Sequence, residues 1–121
     1  MREFINIARA MADRNRVRLL LALREGELCA CQLTALLGLA PSTVSRHLAL
    51  LQQARLLSSR KDGRWIFFKL AGNDSPAVVR EALDWVFKSL ARSEEALADR
   101  KRLAHILKLN PSDLCKRQCR N

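Results

Sequence analysis

The apolar residues change period once between residues 14 and 70, and that change restricts the fold more than any other feature of the chain. Leu and Val recur at helical spacing through Arg14 to about Arg24, about Ala30 to Leu37, and Pro41 to about Ala54. From Leu56 onward apolar and polar residues alternate. Leu56–Lys61 and Arg64–Leu70 therefore read as strands, with Ile66, Phe68 and Leu70 on one face. Asp62-Gly63 lies between them and predicts a hairpin, because a type I′ turn places both central residues at positive φ. The stops and starts agree with this division. Asp13 is an N-cap, Gly26 and Gly38 end helices, and Pro41 opens one where its missing N–H costs nothing. Three helices followed by a hairpin is the order of a winged helix-turn-helix.

Two flanking segments complete the expected fold. Residues 2–12 carry Phe4, Ile7, Ala8 and Met11 at helical spacing. After the loop Gly72–Pro76, a long helix is expected from about Ala77 to Leu107, with Leu83, Val86, Leu90 and Leu97 at heptad-like spacing. The fold class is thus α+β, mainly α: four helices, a β-hairpin wing and a long C-terminal helix. Residues 1–110 form one winged helix-turn-helix domain with dimerisation helices at both ends, and 111–121 a basic tail containing cysteines. A domain this small has little left to cover the stripes Phe4/Ile7/Met11 and Leu83/Val86/Leu90/Leu97, so a second copy is expected to bury them in a homodimer.

The 22 Lys and Arg outnumber the 12 Asp and Glu, giving a formal charge of +10. Such an excess points to a polyanionic partner. No apolar run approaches the ~20 residues needed to span a bilayer, and the N-terminus has no apolar core followed by a cleavage site. A cytoplasmic protein without a membrane partner is expected. No Gly-rich phosphate loop, acid pair or Ser/His/Asp set is present, so no enzyme is expected.

On a helical wheel of Pro41–Ala54, Val44, Leu48 and Leu51 define the core side. Ser42, Ser45, Arg46, Ala49 and Gln53 fall opposite, with His47 on the flank. Hydroxyls (Ser42, Thr43, Ser45), a guanidinium and an imidazole near a helix N-terminus are what a major-groove reader presents. A solvated, capped helix face would carry the same residues. The surrounding charge favours the reader: Arg46, Arg55, Arg60, Lys61 and Arg64 stand against the single acid Asp62. Arg60, Lys61 and Arg64 flank the hairpin tip, where a wing meets phosphate.

Four cysteines remain. Cys29 and Cys31 lie two apart at the mouth of the third helix, and Cys115 and Cys119 four apart in the tail, on one face if the tail is helical. Thiolates select soft ions, so these four could hold As(III) or Sb(III), or a soft divalent metal. A buried small hydrophobe is the alternative for any one of them. His105 reads as a surface histidine, and Trp65 and Trp85 as core or interface residues.

The stretches Glu27-Leu28-Cys29-Ala30-Cys31-Gln32-Leu33 and Pro41-Ser42-Thr43-Val44-Ser45-Arg46-His47-Leu48, with a wing ending Gly63-Arg64, closely resemble the ArsR/SmtB family of metal-responsive repressors. The resemblance runs from about Ala12 to Leu70, and its thiol motif belongs to the arsenic and cadmium branches. It implies a homodimer that binds a palindromic operator without inducer and releases it when a metal or metalloid binds. The arsenic branch has a third cysteine where Thr34 stands here, so the resemblance directs the missing donor to Cys115 or Cys119. It implies As(III) or Sb(III) as inducer, with Cd(II) or Pb(II) as the alternative. A disulfide-based redox sensor on the same fold and, remotely, a thiol oxidoreductase using Cys29 and Cys31 complete the alternatives. The latter lacks the C-x-x-C spacing and βαβ context of thioredoxin-like enzymes.

Overall fold

The computed structural model describes residues 1–119. Helix α1 (Arg2–Met11) and helix α2 (Arg14–Leu23) meet at Asp13, whose carboxylate accepts from the backbone N–H groups of Asn15 (2.8 Å) and Arg16 (3.2 Å). Strand β1 (Leu28–Cys29) leads into helix α3 (Ala30–Leu37), and Gly38 ends that helix at φ +68°. Helix α4 (Pro41–Gln53) begins with its proline in the first turn. It stops without a glycine: Arg55 takes the left-handed conformation at φ +63°, and the Leu56 N–H closes back on the Leu51 carbonyl at 3.1 Å.

Strands β2 (Leu57–Asp62) and β3 (Trp65–Leu70) pair antiparallel from Leu57↔Leu70 to Asp62↔Trp65. The register makes Asp62 the last paired residue of β2, so the two loop residues are Gly63 and Arg64. Gly63 alone has positive φ (+62°). That corrects the type I′ expectation: one glycine at the first loop position is the type II′ pattern. Residues Leu28 and Cys29 pair with Phe68 and Phe67, giving a three-stranded sheet in the order β1-β3-β2. Two residues are too few to show a period, so β1 is invisible in the sequence.

The expected single helix over residues 77–107 is two. Helix α5 (Ala77–Leu90) ends at Ala91, and helix α6 (Glu94–Ile106) starts afresh with Ser93 as N-cap, its hydroxyl accepting from the Ala96 N–H at 3.2 Å. Glu94 and Glu95 in the first turn favour the positive helix terminus. Helix α6 packs on α2 and α3. There Arg18 forms a forked ion pair with Asp99 (2.8 and 3.0 Å), flanked by Arg14–Glu95 and Arg100–Glu25 pairs. The Asp99 hydrogen bond raises the already high pKa of Arg18, which stays charged. Helix α7 (Pro111–Cys119) covers most of the tail and docks on α3 through the buried side chain of Leu114.

The core is a leucine-rich cluster. Leu19, Leu20, Leu33, Leu36, Leu51 and Leu56 are fully buried, drawing α2, α3, α4 and the root of the wing together. Truncating any of them to Ala would cost about 2–5 kcal/mol. This cluster fixes the angle between α3 and α4 and thereby the surface that α4 presents.

Candidate nucleic-acid interface and thiol site

Helix α4 buries Val44, Leu48 and Leu51 and exposes Ser42, Ser45, Arg46, Ala49 and Gln53, with Thr43 half-buried. Arg46 makes no ion pair among the described residues. His47 is half-buried and its Nδ1 lies 3.3 Å from Arg16 Nη1. The same guanidinium donates to the carbonyls of Ala10 (2.7 Å) and Arg9 (3.1 Å). His47 therefore helps tie α4 to the α1–α2 corner, which gives it a positioning role. A second tie has no counterpart in the sequence pattern: Gln52 Nε2 donates to Ser59 Oγ at 3.1 Å, joining α4 to β2. A polar pair between a helix and a strand seven residues on carries no periodic signal.

The three cations flanking the hairpin tip are not equivalent. Arg60 forks onto Glu27 (2.7–3.1 Å), lies 3.8 Å from Asp62 and covers the Phe67 ring at 4.6 Å. The hydrogen bond from Arg60 holds the Glu27 carboxyl below the usual carboxylate range. Arg60 thus clamps β2 to the segment entering β1. Lys61 and Arg64 are exposed and form no ion pair among the described residues.

The thiols lie on β1, α3 and α7. Cys29 is buried in β1 at the N-cap of α3, and its N–H donates to Gln32 Oε1 at 3.0 Å. Cys31, in the first turn of α3, is half-buried and joined to Cys115 of α7 as a disulfide, with the Cα atoms 5.5 Å apart and a sequence separation of 84. Gln118, which no sequence motif marks, donates from Nε2 to the Cys31 carbonyl at 2.9 Å and steadies the same junction. Thr34 is buried and its hydroxyl donates to the Ala30 carbonyl at 2.8 Å, so it is committed to its own helix. The backbone of Cys119 closes α7, but its side chain lies outside what the structure describes. Among the described residues no three His, Cys, Asp or Glu side chains are grouped to hold a metal. The structure brings together one sulfur of each cysteine pair, and among the described residues Cys29 is a free, buried thiol.

The expected dimer residues divide. Ile7, Leu83 and Val86 are buried within the single chain, and Met11 is half-buried against the core. Phe4, Leu90 and Leu97 are exposed, as is Trp85 at 66%. Leu97 sits on α6, not on the helix that carries Leu90.

Residues 13–59 match the profile of the bacterial regulatory proteins of the arsR family. The arsenical resistance operon repressor of Escherichia coli K12 is 34% identical over 94 residues, covering 77% of this chain and 80% of that protein. The chain belongs to the ArsR family. The arsenic resistance transcriptional regulator ArsR1 of Pseudomonas putida KT2440 is 43% identical over 74 residues; there the chain spans 58% of the relative's length. Among solved structures, HlyU from Vibrio cholerae superposes with a TM-score of 0.64 at 26% identity, covering 74% of this chain and 94% of HlyU. The ArsR family consists of winged-helix DNA-binding regulators rather than enzymes. Its fold accounts for the order α2, α3, α4, hairpin, and makes α3–α4 the helix-turn-helix. No helix among the described residues is long and apolar enough to cross a membrane.

Proposed function

We propose that this ArsR-family protein is a cytoplasmic homodimeric repressor. It grips operator DNA with α4 and the wing and releases it when As(III) or Sb(III) is bound by thiolates that include Cys31 and Cys115. The observation that carries this reading is the meeting of Cys31 and Cys115 from 84 residues apart, at the first turn of the helix-turn-helix. The names of the Pseudomonas and Escherichia relatives support arsenic as the effector. The donor set is compatible: a trivalent metalloid takes soft thiolates, two of which converge once reduced. Cys29 or Cys119 is the candidate third donor.

The chain's own residues supply the coupling. Helix α3 ends at Leu37, and only Gly38, Leu39 and Ala40 separate it from α4. A strain placed on the first turn of α3 by a bridge to α7 is passed through the packed leucines to the reading helix. Only a difference in affinity between conformers can shift the equilibrium, so DNA must weaken inducer binding by the factor by which inducer weakens DNA binding. In the operator, Arg46 pairs with guanine or phosphate and Ser42, Thr43 and Ser45 contact base edges or phosphate.

The test is operator affinity by fluorescence anisotropy. Arg46→Ala should lose about 1–3 kcal/mol. Unchanged affinity after removing Arg46 together with Ser45 would overturn α4 as the reader.

The bonded state of Cys31 and Cys115 favours a second reading, a redox sensor. A peroxide would accept the two electrons and two protons of the thiols, leaving the disulfide and two waters, or one water and one alcohol from an alkyl hydroperoxide. DNA release by peroxide that reductant reverses, with no response to arsenite under reductant, would select it.

A further inference from the structure

We infer that helix α7 belongs to the DNA-contacting surface, with Lys116 and the wing-tip Arg64 holding one backbone phosphate between them. This rests on the reading of the wing as a DNA contact and adds a helix to it. The register places Arg64 in the two-residue loop of the hairpin and Trp65 in its closing pair with Asp62. These two residues and Ser112, Cys115 and Lys116 of α7 line a single cleft of about 300 Å³. The middle of α7 and the tip of the wing therefore border the same cleft.

Charge indicates what the cleft takes. Arg64 and Lys116 are both exposed, and neither forms an ion pair with a carboxylate among the described residues. The two acids on these elements are not paired with them: Asp62 lies 3.8 Å from Arg60, and Asp113 makes no ion pair among the described residues. Two cations facing one cleft repel each other, and an anion between them converts that repulsion into two charge-assisted hydrogen bonds. Trp65 and Cys115 supply an apolar wall, and an ionic contact beside such a wall is less screened than on open surface.

The helix that carries Lys116 is also held in place. Leu114 is buried in the core and Gln118 is bonded to the Cys31 carbonyl, so α7 presents Lys116 without first having to order itself. A phosphodiester of duplex DNA fits this pair, and contact with the backbone carries no sequence information.

The experiment measures affinity against salt for the full-length reduced protein, with its operator and with a random duplex of equal length. Lys116→Ala should reduce the slope of log K against log salt by up to about 0.9, the value for the one phosphate it shares with Arg64, equally on both duplexes. Arg64→Ala should do the same, and Lys116→Arg should restore the wild-type slope. A Lys116→Ala slope equal to wild type, with Arg64→Ala flattened, overturns the role of α7 while leaving the wing contact standing. Unchanged slopes in both variants remove the Arg64 contact itself, and the inference with it.

Discussion

Joining Cys31 to Cys115 should raise the stability of this protein by several kcal/mol. The bond spans 84 residues of chain. In the loop-closure treatment, a cross-link of that span lowers the entropy of the unfolded ensemble by about 15 cal/mol/K, or about 4.6 kcal/mol at 25 °C. That is an upper value, since a denatured chain that retains structure loses less. The folded side adds little against it, because Leu114 and Gln118 already hold α7 on α3. The perturbation is reduction, and the assay is urea unfolding followed by circular dichroism with and without a phosphine reductant. With a urea m-value of about 2 kcal/mol/M, the oxidised protein should unfold at a midpoint up to about 2 M higher. Cys115→Ser should unfold at the reduced midpoint under both conditions. Equal midpoints for oxidised and reduced wild-type protein, or a gap that persists in Cys115→Ser, would refute the argument.

Asp13 and the exposed apolar residues give further checks. Burial alone would raise the Asp13 pKa, but the backbone N–H groups of Arg16 and Asn15 and the charges of Arg16 and His47 together lower it. A depressed folded pKa contributes stability above the unfolded value of 3.8, and this is lost as pH falls through the lower folded value. Asp13→Ala should therefore cost about 1 kcal/mol at pH 7, with the gap to wild type narrowing toward pH 3 in urea unfolding. Asp13→Asn should keep most of the cap and remove the pH dependence. On the surface proposed for the dimer, Leu90→Glu and Phe4→Glu should yield monomers by light scattering, since both residues are exposed on the single chain. A wild-type monomer would defeat the homodimer.

Much of the fold was legible because local chemistry and tertiary packing agreed. Asp13, Gly38 and Pro41 act in the structure as helix punctuation. The division of α4 into a buried Val44/Leu48/Leu51 side and an exposed Ser45/Arg46 side follows from the 3.6-residue period. Failures occurred where two signals competed. Apolar residues in continuous phase from Leu83 to Leu97 hid the break at Ala91–Ser93, although Ser93 followed by two glutamates is an N-terminal signature. Burial of Ile7, Leu83 and Val86 inside the chain could not be foreseen from a stripe, which does not say whether its cover is intramolecular. Arg55 ends α4 in a conformation that its side chain gives no reason to expect. At the thiol site, the sequence left the partner of Cys31 open between Cys115 and Cys119, and the structure bonds it to Cys115. That choice was not legible, because selecting Cys115 depends on how α6 and α7 fold back over α2 and α3.

The most direct test is arsenite titration of the reduced protein bound to labelled operator, compared with Cys31→Ser, Cys115→Ser and Cys119→Ser variants. All should still bind DNA before arsenite is added, since none of these cysteines lies on α4 or the wing strands and a serine at position 115 keeps the size of the wall that Cys115 gives the cleft beside Arg64 and Lys116. Wild type should then release the operator, while the Cys31 and Cys115 variants should stay bound at arsenite concentrations at least tenfold higher. Release of the operator from Cys115→Ser at the wild-type concentration would contradict the account.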